Sequence, residues 1–380
     1  MEQKRLGDLA TYINGYAFKP EDRGKEGLPI IRIQDLTGNT YDLGFYNGDY
    51  PEKIEINDGD ILISWSASLG VYIWNRGKAL LNQHIFKVVF DKEEVNKQYF
   101  VFAVKYNLKE MGTKAHGATM KHIVKKDFDN TLVPFPTIEK QDVIAEILSK
   151  AAYIVDARKQ ELQKLDDLVR ARFVELFGDM FLNTMSWNEE PLEEMADVVS
   201  GITKGRKLKA QCTTEVPYMA VSNVKDGYID WTTVKTIEAT EQEINQYRLL
   251  PEDVLMTEGG DPDKLGRGAI IKEPLENCIH QNHIFRVRLN ATVILPEFFA
   301  EYLRHQKSKR YFLGCAKQTT GIASINMRQL KALPVLLPPL ELQNQFADFV
   351  KVVDKSKAAV QKALDQTQQL FDSLMQEYFG

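Results

Sequence analysis

Residues 133–141 read VPFPTIEKQ and residues 335–343 read VLLPPLELQ, and each proline-framed stretch leads into a long run without proline or glycine. The runs extend to Phe177 and to Phe379, and a glycine follows each of them. Proline is tolerated immediately before a helix, where its missing N–H leaves no hydrogen bond unmade, and glycine commonly ends one. The two stretches therefore predict the starts of two long helices.

Matching segments also occur throughout the sequence that precedes these helices. The pairs are RLGDLATYINGYAF (5–18) with PLEEMADVVSGITK (191–204), PIIRIQDLTGNTYD (29–42) with PYMAVSNVKDGYID (217–230), GDILIS (59–64) with EDVLMT (252–257), and NQHIFKV (82–88) with QNHIFRV (281–287). The separation between paired segments only grows along the chain, as one duplicated unit with loop insertions would give. The sequence is therefore an internal repeat, built as two like halves.

Each half is predicted to contain a β-rich domain with some helix. Short runs rich in β-branched residues, bounded by Gly, Asp or Pro, predict strands at LPIIRI (28–33), DILISW (60–65), GVYIW (70–74), HIFKVVF (84–90), VPYMAV (216–221), DVLMT (253–257), GAIIK (268–272) and HIFRVRL (283–289). A helical pattern follows in each half, at residues 97–111 and again at residues 296–312. The fold class is predicted to be α+β, with two tandem mixed domains.

The long helices carry apolar residues at steps of three and four. These residues are Ile144, Ile147, Ala151, Ile154, Leu162, Leu165, Val169 and Leu176 in the first helix, and Leu342, Phe346, Phe349, Val353, Val360, Ala363, Leu370 and Leu374 in the second. A seam of this length predicts an antiparallel coiled coil of pseudo-two-fold symmetry, with helices about 60 Å long that separate the two domains. The alternative is two independent helices, each packed on its own domain.

The composition predicts a cytoplasmic protein without a membrane span. Hydrophobic residues make up 44% of the 380 residues, the N-terminus has no secretory signal, and the three cysteines lack metal-ligand spacing. The net charge of −5 does not favour a nucleic-acid partner, but the basic residues are clustered. The clusters lie at residues 109–126, 204–209 and 304–331. A solvated surface would explain any one cluster, whereas their recurrence in both halves favours contact with phosphates.

Motifs for catalysis are missing from the sequence. There is no phosphate-binding loop of the G-x-x-x-x-G-K-[ST] type, no G-x-G-x-x-G that opens a helix, and no [DNS]-P-P-[YF] of an amino-methyltransferase. His84 and His283 occupy equivalent positions within strand-like runs, without a recurrent nucleophile or carboxylate. We therefore interpret them as hydrogen-bonding residues, either structural or facing DNA, and the chain as a binding protein that needs no cofactor or metal of its own.

The duplicated order of a variable domain, a proline-framed strand, x-x-E-x-Q and a long helix resembles the specificity subunit of Type I restriction–modification systems. The resemblance covers essentially the whole chain, including LFGD at 176–179 and QEYFG at 376–380 at the helix ends. It implies target-recognition domains at 1–135 and 191–337, spacer helices at 136–178 and 338–380, and a linker at 179–190. It also implies a non-catalytic subunit that binds double-stranded DNA with a bipartite target, one half-site for each domain, with the helices setting the gap.

The same resemblance implies protein partners. These are two methyltransferase subunits and, through them, the restriction subunits, to which S-adenosylmethionine, Mg²⁺ and ATP would belong. Two other functions remain open from the residues alone. One is a non-reading assembly scaffold of a DNA-modification complex, and the other is a fused or degenerate nuclease or methyltransferase.

The residues expected to contact DNA lie in the variable loops. Arg, Lys, Asn and Gln read base edges, while Lys, Arg, Ser and Thr also contact phosphates. The candidates in the first half are Ser64, Trp65, Ser66, Ser68, Lys114, His116, Thr119, Lys121 and His122, and those in the second are Lys264, Arg267, Lys317, Gln318, Thr319, Thr320, Asn326 and Arg328. Trp65 is equally compatible with the edge of a core.

Overall fold

The computed structural model describes residues 2–38, 42–114, 123–206, 212–319 and 321–380. The chain forms two compact units. Unit 1 comprises Met1–Gln160 together with Gln361–Gly380, and unit 2 comprises Glu161–Val360. No helix within the described ranges is long and apolar enough to span a membrane.

The first half of the chain contains ten strands and five α-helices over its described residues. The strands are β1 Gln3–Arg5, β2 Thr11–Asn14, β3 Leu28–Ile31, β4 Phe45–Tyr46, β5 Glu55–Ile56, β6 Ile61–Ser64, β7 Gly70–Ile73, β8 Ala79–Leu81, β9 Ile85–Val89 and β10 Leu132–Pro134. The helices are α1 Leu6–Leu9, α2 Ile33–Leu36, α3 Lys97–Lys114, α4 Lys125–Asp129 and α5 Ile138–Phe177.

The second half repeats this series with small additions. Its strands are β11 Asn188–Pro191, β12 Ala196–Ser200, β13 Thr214–Met219, β14 Lys235–Ala239, β15 Val254–Thr257, β16 Gly259–Gly260, β17 Gly268–Ile270, β18 Ile279–His280, β19 Ile284–Leu289, β20 Lys317–Thr319, β21 Ile322–Ser324 and β22 Pro334–Leu337. Its helices are α6 Glu241–Tyr247, α7 Pro296–Arg304, α8 Gln306–Cys315, α9 Met327–Lys331 and α10 Leu340–Phe379.

The sheets repeat as the sequence does. An antiparallel sheet of order β2-β9-β6-β7 in unit 1 corresponds to β12-β19-β15-β17 in unit 2. A second sheet pairs β3 with β8 in parallel, as β13 pairs with β18. The proline-framed strands β10 and β22 pair antiparallel with β1 and β11, the first strands of their respective halves. The two predicted β-rich domains are therefore present, and the eight predicted strands all contain or overlap observed ones.

The predicted helical segment at residues 296–312 is helical but interrupted. Residues 296–312 form two helices, α7 and α8, because His305 adopts an extended backbone with φ −71° and ψ 151°. The His305 ring accepts a hydrogen bond from the N–H of Lys307 at 3.2 Å, and the Ser308 hydroxyl donates to the Tyr302 carbonyl at 2.7 Å. These contacts satisfy backbone groups that the break leaves without helical partners.

The two long helices pair antiparallel within each unit. In unit 1, Arg158 donates to Thr367 at 2.5 Å, and the start of α5 shares a core with the end of α10. In unit 2, Lys357 pairs with Asp166 at 2.5 Å, and the rings of Phe173 and Phe346 lie 5.3 Å apart.

The predicted apolar seam is only partly right. Ile144, Ala151, Val169, Phe346 and Val353 are buried as expected. By contrast, three predicted seam residues are exposed, and in each case the next residue along the chain is buried instead. The exposed residues are Ile147, Ile154 and Leu370, and the buried residues in their place are Leu148, Val155 and Phe371.

Candidate nucleic-acid interface

Unit 2 brings two of the predicted DNA-contacting segments together in one small sheet. β21 pairs with β16 on one side, with Gly259 opposite Ser324, and with β20 on the other, with Lys317 opposite Ser324. The glycine-containing loop that begins at Gly259 therefore lies beside the hairpin that carries Lys317, Gln318 and Thr319, which are all exposed. Exposed polar side chains on a short, open hairpin are suited to contacts with a groove or a backbone.

The same backbone arrangement positions the corresponding loops of both units. In unit 2 the N–H of Glu258 donates to the His283 carbonyl at 3.0 Å, and the N–H of Ile325 donates to the Glu258 carbonyl at 2.9 Å. In unit 1 the N–H of Trp65 donates to the His84 carbonyl at 3.3 Å, and the N–H of Ile123 donates to the Trp65 carbonyl at 3.0 Å. Each unit thus ties its loop to the segment preceding its final short helix.

The recurrent histidines support these loops with their rings as well. His84 packs edge-on against Trp65, with ring centroids 4.9 Å apart. His283 Nδ1 lies 2.6 Å from Glu258 Oε2. Each histidine therefore contacts the side chain of the loop residue that donates to its own carbonyl. The ring of His283 makes the predicted hydrogen bond, whereas the ring of His84 contacts Trp65 by packing alone, and its buried Nδ1 has no hydrogen-bond partner among the described residues.

The unit 1 loop exposes less than the sequence suggested. Ser64 is fully buried, and its hydroxyl donates to the Ser68 carbonyl at 2.5 Å, while Ser66 is also buried. Trp65 is half-buried and stacks on Phe86 at 5.5 Å between ring centroids, at the edge of the unit 1 core. Of the four loop candidates, only Ser68 is exposed. The Ser64 hydroxyl therefore stabilises the loop, and because both Ser64 and Ser66 are buried, neither is accessible to DNA in this conformation.

The remaining candidates of unit 2 differ in availability. Lys264 is exposed and forms an ion pair with Asp261, and Arg267 is half-buried. Asn326 caps α9, since its side chain accepts from the N–H of Gln329 at 2.9 Å, whereas Arg328 is exposed in the first turn. Capping occupies the acceptor oxygen of Asn326, so Arg328 is the stronger candidate of the two.

Five candidates lie outside the described residues, namely His116, Thr119, Lys121, His122 and Thr320. Lys114 is the last residue of α3, and the structure describes its backbone alone. Ile123 is the first residue described after positions 115–122, and its N–H donates to the Trp65 carbonyl.

Some basic residues of the predicted clusters have acidic partners. Arg206 forms an ion pair with Glu243 at 2.6 Å, and hydrogen bonding from this guanidinium lowers the pKa of Glu243 to about 2. Lys125 pairs with Asp129 at 2.7 Å. These cations are less available to phosphates than unpaired ones, because their charge is compensated within the protein.

Sequence reasoning did not assign two residues that lie with the candidates. Arg304 at the end of α7 and Lys309 in α8 line the same cleft as Lys264 and Arg267, with a volume of about 280 Å³. Both belong to the predicted basic cluster at 304–331, but their positions in the sequence could not indicate which loop they face. Over the described part of the chain, no three His, Cys, Asp or Glu side chains are grouped as a metal site would require.

Comparison with known proteins adds to this geometry. The family model for the Type I restriction modification DNA specificity domain matches residues 1–166 and 185–367. The chain is 23% identical to the Type I restriction enzyme EcoBI specificity subunit of Escherichia coli, over 98% of this chain and 84% of that protein. It is 25% identical to the MjaVIII specificity subunit of Methanocaldococcus jannaschii, over 95% and 89% respectively.

The fold also matches a solved structure. The crystal structure of a Type I restriction–modification S subunit from M. genitalium aligns with a TM-score of 0.56 and 17% identity, covering 100% of this chain and 96% of that one. Since the family model matches most of the chain in two successive segments, the protein belongs to the family of Type I restriction–modification DNA specificity proteins.

Proposed function

We propose that this chain is a non-catalytic specificity subunit that recognises a bipartite sequence in double-stranded DNA, with each recognition domain reading one half-site. The observation that carries the proposal is the duplicated loop arrangement, in which His84–Trp65–Ile123 and His283–Glu258–Ile325 form the same hydrogen-bond series. Two similar domains with different exposed loop residues are suited to two different short sequences.

The proposed domains follow the repeat. Residues 1–135 and 191–337 are the target-recognition domains, residues 136–178 and 338–380 are the spacer helices, and residues 179–190 are the linker. The chain would act in the cytoplasm, where it would hold two methyltransferase subunits and, through them, restriction subunits. The relatives are described as specificity subunits of Type I restriction enzymes, which supports these partners. S-adenosylmethionine, Mg²⁺ and ATP would be bound by the partners.

Within the proposed interface, the exposed residues are the primary candidates for contact with DNA. They are Ser68 in unit 1 and Lys264, Lys317, Gln318, Thr319 and Arg328 in unit 2. Half-buried Arg267 joins them through the cleft that it lines. Ser64 and Ser66 are not part of the proposed interface.

The test is single-molecule methylation sequencing of DNA from cells that express this chain with the methyltransferase encoded beside it. We expect a methylated motif of two short blocks around a fixed unspecified gap, absent when the chain is omitted. A stable protein complex without any motif would contradict the proposal and favour a scaffold that does not read DNA.

A further inference from the structure

The basic cleft of unit 2 is formed between a loop and a helix pair. Its walls are the loop joining β16 to β17, which contributes Lys264 and Arg267, and the helices α7 and α8, which contribute Arg304 and Lys309. Asp226 lines the cleft with these four cations. Since carboxylates pair with Lys264 and Arg304, the uncompensated positive charge of the described side chains comes from Arg267 and Lys309, and the concave, low-dielectric walls strengthen its potential.

Apolar contacts join the two walls of the cleft and fix their positions relative to each other. Leu265, between the two basic residues of the loop, is buried in the unit 2 core together with Phe312 of α8. Gly266 has φ +74°, and a β-carbon there would overlap the Phe312 ring. The loop can therefore approach α8 closely only with glycine at this position. This anchoring fixes the backbone on either side of Arg267.

The four cations are not equivalent. Arg304 lies 3.3 Å from Asp226 and 3.3 Å from Glu301, so two carboxylates orient it and compensate its charge. Lys264 pairs with Asp261. In contrast, Arg267 Nε is buried without a hydrogen-bond partner among the described residues. The described chain also places no carboxylate within ion-pair distance of Lys309. A buried donor without a partner costs free energy that a bound acceptor would recover.

A cleft occurs at the corresponding place in unit 1. It lies between the loop joining β6 to β7 and helix α3, has a volume of about 710 Å³, and is lined by Lys105 and Lys109 among mainly apolar residues. The position is thus a feature of the repeat, and among the residues that the structure describes the unit 2 cleft carries more cations than the unit 1 cleft.

We propose that the unit 2 cleft binds one phosphate of the DNA backbone, with Arg267 and Lys309 as its ligands and Arg304 as a positioning residue. The inference rests on the proposed function, because it takes DNA as the partner. The same two chain segments that form the cleft continue into β16 and β20, which carry the exposed hairpin. Arg267 and Lys309 would fix the domain on the backbone, and Gln318 and Thr319 would face base edges.

The inference makes a specific prediction about sequence dependence. A phosphate ligand contributes equally to every duplex, whereas a base-reading arginine contributes only to the correct one. Arg267→Gln and Lys309→Gln should each weaken DNA binding by the assembled methyltransferase complex about tenfold, which is the loss expected for one charge-assisted hydrogen bond. The slope of log affinity against log salt should fall by about 0.9 in each variant.

The decisive experiment combines these variants with neutral methylphosphonate linkages placed one at a time along the target duplex. For the wild-type complex, one position should weaken binding; in Arg267→Gln and Lys309→Gln the same position should have no further effect. Lys235→Gln, on the exposed strand β14, is the matched control and should behave as wild type. Arg267→Lys should retain part of the affinity, and thermal unfolding of each variant verifies the fold.

The contrary outcomes are distinct. Unchanged affinity and salt slope in both variants would overturn the phosphate assignment, as would a changed preference at one base pair, which would identify Arg267 as a base reader. Competition by free inorganic phosphate or ATP at millimolar concentration, without any methylphosphonate effect, would assign the cleft to a small anion and would also overturn it. A wild-type complex that binds all duplexes with equal affinity would contradict the proposed function. The effect of each methylphosphonate linkage on affinity could still be measured, so the phosphate assignment would be tested separately.

Discussion

The side-chain amide of Gln343 donates a hydrogen bond to the carbonyl of Pro338 at 2.8 Å, and so joins the start of α10 to the strand that precedes it. Its oxygen accepts from the N–H of Leu295 at 2.8 Å, before α7. Gln141 repeats both contacts, with the Pro136 carbonyl at 2.9 Å and the Asn96 N–H at 3.1 Å. The glutamine that ends the x-x-E-x-Q motif is therefore a buried link between the recognition domain and its long helix.

Gln343→Leu should lower the free energy of unfolding by about 3 kcal/mol, because it leaves buried N–H and carbonyl groups without partners. Gln345→Leu is the matched control, since Gln345 is exposed two residues further along the same helix. Urea unfolding of the full chain measures both. Equal stabilities of the two variants would contradict the linking role.

Phe371→Ala should destabilise the protein by about 3 kcal/mol, since Phe371 belongs to the unit 1 core and its ring centroid lies 6.1 Å from that of Phe102. Leu370→Ala should change the stability by no more than about 0.5 kcal/mol, because 56% of Leu370 is exposed. Thermal and urea unfolding distinguish the two. If Leu370→Ala were the more destabilising variant, Leu370 rather than Phe371 would belong to the apolar seam, as the sequence pattern predicted.

Gly266→Ala should cost at least about 1 kcal/mol of stability, because the residue has a positive φ and an added methyl group would overlap Phe312. It should also weaken DNA binding by displacing Arg267. Gly260→Ala should be tolerated, because no atom lies within 4 Å of the added carbon. Calorimetry and a DNA-binding titration of both variants test this, and a stable Gly266→Ala protein with unaltered binding would count against the anchored loop.

The stability of unit 2 should depend on pH through His280, which is fully buried. Burial lowers the pKa of His280 to about 4, below the usual 6.5. The unfolded chain therefore takes up a proton first as the pH falls, so the stabilisation is complete above pH 6.5 and is lost progressively towards pH 4. Between pH 7 and pH 5 the loss should be about 2 kcal/mol. His280→Gln should remove this component of the pH dependence of the free energy of unfolding, measured with urea. The same pH dependence in the wild type and the variant would contradict the prediction.

The long helices and the repeat were predictable because their signals are local. Proline before each helix and glycine after it mark the ends, and α5 does stop before Gly178, which has φ +73°. The phase of the apolar seam was not predictable at Leu370 and Phe371, since both residues continue a pattern of threes and fours. Packing on Phe102, which is distant in sequence, decides between them.

The candidate site was less accessible to sequence reasoning, for two physical reasons. β6 is buried along its whole length, so the alternation that would mark Ser64 as an inward residue is absent. The break at His305 involves neither proline nor glycine. It depends on two hydrogen bonds, from the N–H of Lys307 to the His305 ring and from the Ser308 hydroxyl to the Tyr302 carbonyl. That break separates α7 from α8, whose residues Arg304 and Lys309 line the cleft with Arg267.

The most direct test of the central claim, that each half of the chain reads its own half of the target, is the methylated motif produced by loop variants. The double variant Gln318→Ala/Thr319→Ala alters the unit 2 hairpin, and Ser68→Lys alters the unit 1 loop. We predict that each variant relaxes or changes a different block of the motif and leaves the other block and the gap between them unchanged. Alteration of the same block by both variants, or of neither block, would contradict the account.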